Sequence, residues 1–192
     1  AAPHSSSLAT ACRALASSLK KLLNEKPLDK ITVIDIAEDC GVNRQTFYYH
    51  FQDIYDLLEW YFASEASEAL LGKKSYDTWQ QGFLQTFQWV QKNRSLVLNA
   101  YRSVSREQME RYLYEVTMKL LIDVVEEQAA GLSVREEDKQ FIASFYKFAF
   151  VGLMLDWIRG GMKEEPEKII ARLSVLIQGD VRRALEKYAA HR

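Results

Sequence analysis

The stretch TVIDIAEDCGVNRQTFYYHF, residues 32–51, decides the reading of this chain. It sets two short runs of helix formers on either side of Gly41, and the second run crowds Arg44, Gln45, Thr46, Tyr48, Tyr49 and His50 into under two turns. A packed interior has little use for so many hydrogen-bonding side chains, because each would need a partner once removed from water. Thr32 can cap the first run, Val33 to Cys40, by accepting a free N–H at its start, and Asn43 can cap the second, Arg44 to His50. Two short helices joined by a tight glycine turn make a helix-turn-helix, whose second helix enters a DNA major groove. Ala37 is small where the helices approach, Ile36, Val42 and Phe47 can fill the core between them, and Phe51 can close it. The polar set then faces outward. Arginine can pair with guanine O6 and N7, glutamine with adenine N6 and N7, and threonine or tyrosine can meet a thymine methyl or a phosphate. A plain core role for Tyr48, stacked inside the head, stays open beside this one.

Outward from the motif, apolar spacing of three and four recurs almost everywhere and alternating β-branched runs are missing, so the fold is expected to be all-α with about nine helices. A first helix from about Leu8 to Glu25 carries Ala11, Leu15, Leu19, Leu22 and Leu23 on one stripe and stops at Pro27. Asp53 caps a longer helix with Ile54, Leu57, Leu58 and Tyr61. Ser75 opens one with Trp79, Phe83, Phe87 and Val90, and a short piece comes next around Ser95 to Tyr101. Ser105 with Gln108, and Ser133 with Glu136, read as capping boxes for two long helices ending near Gly131 and at Gly160-Gly161. Pro166 begins a final helix through about Tyr188. The expected domains are a helix-turn-helix head, residues 1–55, and a helical body, residues 56–192, the hand-over lying within a helix near Glu59 to Leu71.

Composition narrows the function. The 25 lysines and arginines balance 26 aspartates and glutamates, so any anion binding must be local. Cys12 and Cys40 lie in separate helices without a CxxC pair, which predicts buried reduced thiols rather than a zinc site or disulfide. AAPHSSSLAT has no basic segment followed by an apolar one, so no secretion signal is expected. The apolar stretch Phe141 to Ile158 is interrupted by Lys147 and Asp156, which argues against a membrane span and for a cytoplasmic protein. His4, His50 and His191 are far apart in sequence, and neither a nucleophile with its base nor a metal cluster is visible, so no enzyme and no cofactor are expected.

The residues from Thr32 to Leu58, with GVNRQTFYYHF at the centre and IYDLL after it, resemble the DNA-binding domain of TetR/AcrR-family transcriptional regulators. The resemblance implies a three-helix head whose third helix reads the major groove, with Arg44, Gln45 and Thr46 as base readers. Tyr48, Tyr49 and His50 would contact backbone or thymine methyls, beside the caps Thr32 and Asn43. It further implies a homodimer on a palindromic operator, more in keeping with a repressor than an activator, controlled by a small molecule or a protein partner. Gln52 and Ile54 depart from the family pattern, which often carries lysine just after the recognition helix. The head is not basic either: Arg13, Lys20, Lys21, Lys26, Lys30 and Arg44 face Glu25, Asp29, Asp35, Glu38, Asp39, Asp53, Asp56 and Glu59. A co-regulator with weak DNA binding, acting mainly through a protein partner, is the alternative.

In the body, the helix around Phe141 to Ile158 is apolar on nearly all faces, more than an intramolecular core needs. Phe150, Leu153, Met154 and Trp157, with Ile170, Leu173 and Ile177 of the final helix, are the expected dimer interface, where Gly152, Ser174 and Gly179 permit close approach. Aromatic walls with a few polar handles describe a ligand pocket as well as a plain core. The family resemblance suggests an effector site made by Trp79, Phe83, Phe87, Phe145 and Phe148 with Asn99, Arg102 and Tyr112 as handles. LDWIRGGM and the subsequent EPEKI resemble the subset related to regulators of dihydroxyacetone kinase genes, in which control can run through a protein partner.

Overall fold

The structure is a computed structural model and describes residues 4–69, 71, 72, 75, 77–104 and 106–190. Among these the chain forms only helices. They are α1 (His4–Glu25), α2 (Val33–Cys40), α3 (Arg44–His50), α4 (Ile54–Ala69), α5 (Trp79–Lys92), α6 (Arg94–Ser103), α7 (Arg106–Ala129), α8 (Glu136–Arg159), α9 (Pro166–Ile177) and α10 (Asp180–Ala190), with a 3-10 turn at Leu28–Lys30. The all-α expectation holds. One helix is added because the final one breaks: Gly179 takes a φ of 78°, a left-handed conformation that α-helix cannot contain, so α9 and α10 are separate.

The described residues gather into two compact units. The first joins the chain up to Glu65 with Asn93–Met109. Its core is Leu15, Leu19, Leu22 and Leu23 of α1, Ile36 and Ala37 of α2, Phe47 of α3, Phe51, and Leu57, Leu58 and Tyr61 of α4. The spacing of the α1 leucines puts them on one stripe, and Pro27, which lacks an N–H, ends that helix. Phe47 is wholly enclosed, and its truncation to alanine would cost about 3–5 kcal/mol. The 55/56 boundary therefore differs from the structural division, which falls inside α4 between Glu65 and Ala66 and gives α6 to the head. The physical reason is that α6 packs on α1 and on the 3-10 turn and buries Leu96, Val97 and Ala100.

The second unit holds Ala66–Lys92 and the chain from Glu110 onward. Here α5 packs on α9, and α10 packs on α8 and α9. The core is aromatic: Phe83 stacks on Phe150 with ring centroids 4.2 Å apart and planes 9° apart. Trp79 meets the same phenylalanine edge-on at 5.7 Å, and Phe87 lies 5.0 Å from Trp157. The Trp157 indole N–H donates to the Glu164 carbonyl at 2.9 Å, tying the end of α8 to the approach to α9. By length and composition α8 could cross a membrane, but its inner face, from Ile142 through Ile158, lies in this core.

Two local expectations change. The N-cap position of α8 is Arg135 rather than Ser133, and its guanidinium holds Asp138 in two bonds, Nε to Oδ2 at 2.8 Å and Nη2 to Oδ1 at 3.1 Å. That pairing, with Glu136 and Glu137 beside the positive end of the helix, stabilises the start. Cys12 and Cys40 are both half-exposed rather than buried. Gly152 has open space within this chain where a side chain would stand. The Ser105 expectation lies outside the described residues.

Candidate nucleic-acid interface

The site is built by two caps and one turn. The Thr32 hydroxyl accepts the Asp35 N–H at 3.1 Å while the Asp35 carboxylate accepts the Thr32 N–H at 2.8 Å, a reciprocal capping box at the start of α2. Gly41 closes that helix with a φ of 70°, and the Gly41 and Val42 N–H groups bond back to Glu38 and Ala37 carbonyls at 3.1 and 2.9 Å. Asn43 Oδ1 then accepts both the Thr46 N–H at 2.9 Å and the Thr46 hydroxyl at 3.1 Å, starting α3. Phe47 drops into the core and Phe51 joins it, so register alone turns the rest of α3 outward.

Two ion pairs reach α2, one from α1 and one from the residue just after it. Lys26 reaches Asp35 at 2.9 Å, and Lys21 pairs with Asp39. The Asp35 carboxyl is held down to about 2 from its usual 3.8, first by the Lys26 ammonium and then by the N–H and hydroxyl of Thr32. Asp39 is lowered by the bond from Lys21 and then by the Ser18 hydroxyl. Two of the head's cations are thus committed to α2 carboxylates.

On α3, Arg44, Gln45, Tyr48 and Tyr49 are exposed, while Thr46 and His50 are half-buried. Tyr49 is 77% exposed. The Arg44 guanidinium carbon lies 5.6 Å from the centroid of the Tyr48 ring, and that ring in turn meets Phe47 edge-on at 5.5 Å. Tyr49 and His50 meet edge-on at 5.0 Å. The structure therefore brings Arg44, Gln45, Tyr48, Tyr49 and His50 together on one short helix and gives Thr46 a local task, because its hydroxyl serves the Asn43 cap. Thr32 and Asn43 likewise spend their side-chain acceptors within the chain.

The expected effector set is divided between the two units. Asn99 and Arg102 belong to the first unit and the other six to the second. The Asn99 amide is engaged with backbone: it donates to the Leu23 and Lys26 carbonyls at 3.0 and 3.1 Å and accepts the Leu28 N–H at 3.0 Å. As a polar handle for a ligand it is corrected, since its oxygen and its nitrogen are both occupied. Phe83 and Phe87 face the rings of Phe150 and Trp157, whereas Phe145 and Phe148 lie on the surface, Phe148 under the Lys147 ammonium and against Tyr114. Trp79 borders an apolar cavity of about 20 Å³ with Leu121, Val124, Val125, Tyr146, Phe150, Ile177 and Val181, room for little more than a water molecule.

The expected dimer residues are also corrected. Phe150, Met154, Trp157, Ile170, Leu173 and Ile177 are buried within the unit, and only Leu153 of the seven is exposed. The exposed apolar stripe on α8 is Phe141, Phe145, Phe148 and Leu153, accompanied on α9 by Val175 and Leu176. The right helices carry the excess apolar surface, but on the opposite face.

Comparison with known proteins accords with this architecture. Residues 17–61 match the family model of bacterial regulatory proteins of the tetR family, and residues 77–179 match a transcriptional regulator C-terminal region of the same group. The chain is similar to the dhaKLM operon transcriptional activator DhaS of Lactococcus lactis subsp. lactis (strain IL1403), with 23% identity over 170 residues, 88% of this chain and 89% of that protein. A solved structure of a dihydroxyacetone kinase operon activator DhaS superposes with a TM-score of 0.68 at 21% identity, over 93% of this chain and 98% of that one. The TetR family repressor AlkX from Dietzia sp. strain DQ12-45-1b superposes at 0.56 and 16% identity, over 91% and 97%.

Proposed function

This chain belongs to the TetR family of transcriptional regulators, and from that premise we propose that it acts as a homodimer whose two α3 helices read the half-sites of a palindromic operator. The single observation that supports this most is the doubly capped α2–Gly41–α3 turn, which holds Arg44, Gln45, Tyr48 and Tyr49 exposed on a helix anchored by a fully buried Phe47. Arg44 and Gln45 are the base readers, by the pairing of guanidinium with guanine and of amide with adenine. Tyr48, Tyr49 and His50 contact backbone or thymine methyls. Dimerisation uses the exposed apolar residues of α8 with Val175 and Leu176, since several large apolar side chains left in water on these helices mark an interaction site. A regulator of this kind works in the cytoplasm, beside the chromosome. The relatives include an activator and a repressor, and whether binding activates or represses is set by where the operator lies relative to the promoter.

Selection of bound duplexes from a random pool by the purified protein tests this. The expected product is one motif with two-fold symmetry and half-sites about one helical turn apart. Asymmetric single sites, with the protein folded, would overturn the dimeric reading.

One observation favours a second reading, a co-regulator that depends on a protein partner for firm DNA binding: Lys21 and Lys26 are paired with Asp39 and Asp35. Few cations remain to displace counterions, so the slope of log affinity against log salt is expected to be shallow. A slope equivalent to roughly ten released ions per dimer would contradict it.

A further inference from the structure

An α-helix ends with carbonyls that have no partner inside the helix, and they must be met by water, a cap or a distant side chain. At the end of α1 the Leu22 carbonyl accepts the Lys26 N–H at 2.9 Å, but the chain then enters Pro27, which has no N–H to offer. The Leu23 and Lys26 carbonyls are met from α6, by the Asn99 amide nitrogen at 3.0 and 3.1 Å. The same side chain accepts the Leu28 N–H through its oxygen at 3.0 Å. One carboxamide thus holds three backbone groups across the α1–Pro27–Leu28 corner, with donor and acceptor each used in the sense its chemistry allows.

The segment after that corner is stiff. The 3-10 turn is closed by Lys30 N–H to Pro27 at 3.0 Å and Ile31 N–H to Leu28 at 3.1 Å, and Leu28 and Ile31 are both buried. Thr32 then begins the capping box of α2, and α2 leads through Gly41 into α3. Leu28, Lys30, Ile31 and Thr32 therefore each commit a backbone N–H to a bond, and little slack separates the corner from the start of α2.

We infer that Asn99 is a positioning residue for DNA recognition: from α6 it fixes the α1–Leu28 corner and through it the placement of the helix-turn-helix. It touches no DNA. Its removal loosens the seating of α2 and α3, so it lowers discrimination between sites while the electrostatic, sequence-independent part of binding persists. The inference rests on the operator-binding reading above.

The test compares wild type with Asn99→Ala and Asn99→Asp. The aspartate keeps the acceptor for Leu28 and loses both donations. Using the duplex selected by wild type and a scrambled duplex of equal length, N99A is expected to lose about tenfold in affinity for the selected site. Its affinity for the scrambled one should stay within about twofold, with the helical spectrum retained. Amide hydrogen exchange supplies an arm that needs no DNA. The Leu28 amide should exchange faster in N99A and keep its protection in N99D, and the α2 amides should exchange faster in N99A. Equal losses on both duplexes, or selected-site affinity unchanged in N99A, would overturn the inference. Unaltered Leu28 and α2 protection in N99A would overturn it too, even if wild type selected no duplex, an outcome that would count separately against the operator-binding reading.

Discussion

The guanidinium of Arg44 lies over the ring of Tyr48, one turn further along α3, with 5.6 Å between its central carbon and the ring centroid. The ring is itself braced edge-on by the buried Phe47. An arginine that must meet O6 and N7 of one guanine gains from being held in advance, because less side-chain freedom is lost on binding.

This separates the ring of Tyr48 from its hydroxyl. Tyr48→Phe keeps the ring and is expected to retain base preference at the position read by Arg44. Tyr48→Ala should lower affinity for the selected duplex by about 0.5–1 kcal/mol and blur that position. Fluorescence anisotropy on the selected duplex and its single-base variants measures both. If Phe and Ala behave alike, the hydroxyl rather than the ring is what matters.

Acid should loosen the head through Asp35. Its carboxyl lies near 2 in the folded protein against 3.8 ordinarily, so the unfolded chain binds the proton more tightly. The stabilisation is therefore complete above about pH 4 and is lost as the pH falls through about 2. In urea unfolding measured against pH, the gap between wild type and Asp35→Asn should be constant above about pH 4 and narrow below it. A gap that stays the same down to pH 2 would show that the charge of Asp35 does not stabilise the head.

Neighbouring residues on α8 should give opposite outcomes. Leu153 is 44% exposed and Met154 6%. Leu153→Glu is expected to weaken self-association by about a hundredfold with the helical spectrum preserved. Met154→Glu should destabilise the fold by about 3 kcal/mol or more, since it buries an unpaired charge. Sedimentation velocity with circular dichroism distinguishes them, and a dimer that survives Leu153→Glu would exclude this face.

The head was legible because its signals are local. Thr32, Gly41 and Asn43 act on backbone within a few residues of themselves, so residue type and spacing are enough to place them. The body was less so. On α8 apolar residues cover nearly every direction, and the periodicity that shows a surplus face does not say which side turns inward; Phe150, Met154 and Trp157 went to the core, and Phe141, Phe145 and Phe148 to the surface. The task of Asn99 could not be read at all. Its partners are backbone atoms more than seventy residues upstream, and a backbone acceptor leaves no mark in side-chain identity.

The central claim is that α3 reads bases through Arg44, and an affinity cycle tests it most directly. Wild type and Arg44→Ala are measured against the selected duplex and against duplexes in which each G·C pair is exchanged in turn. The expected result is one pair per half-site whose exchange costs wild type about 1–3 kcal/mol and costs Arg44→Ala nothing further. An Arg44→Ala protein that loses affinity equally on every duplex would make Arg44 a phosphate contact and contradict the claim.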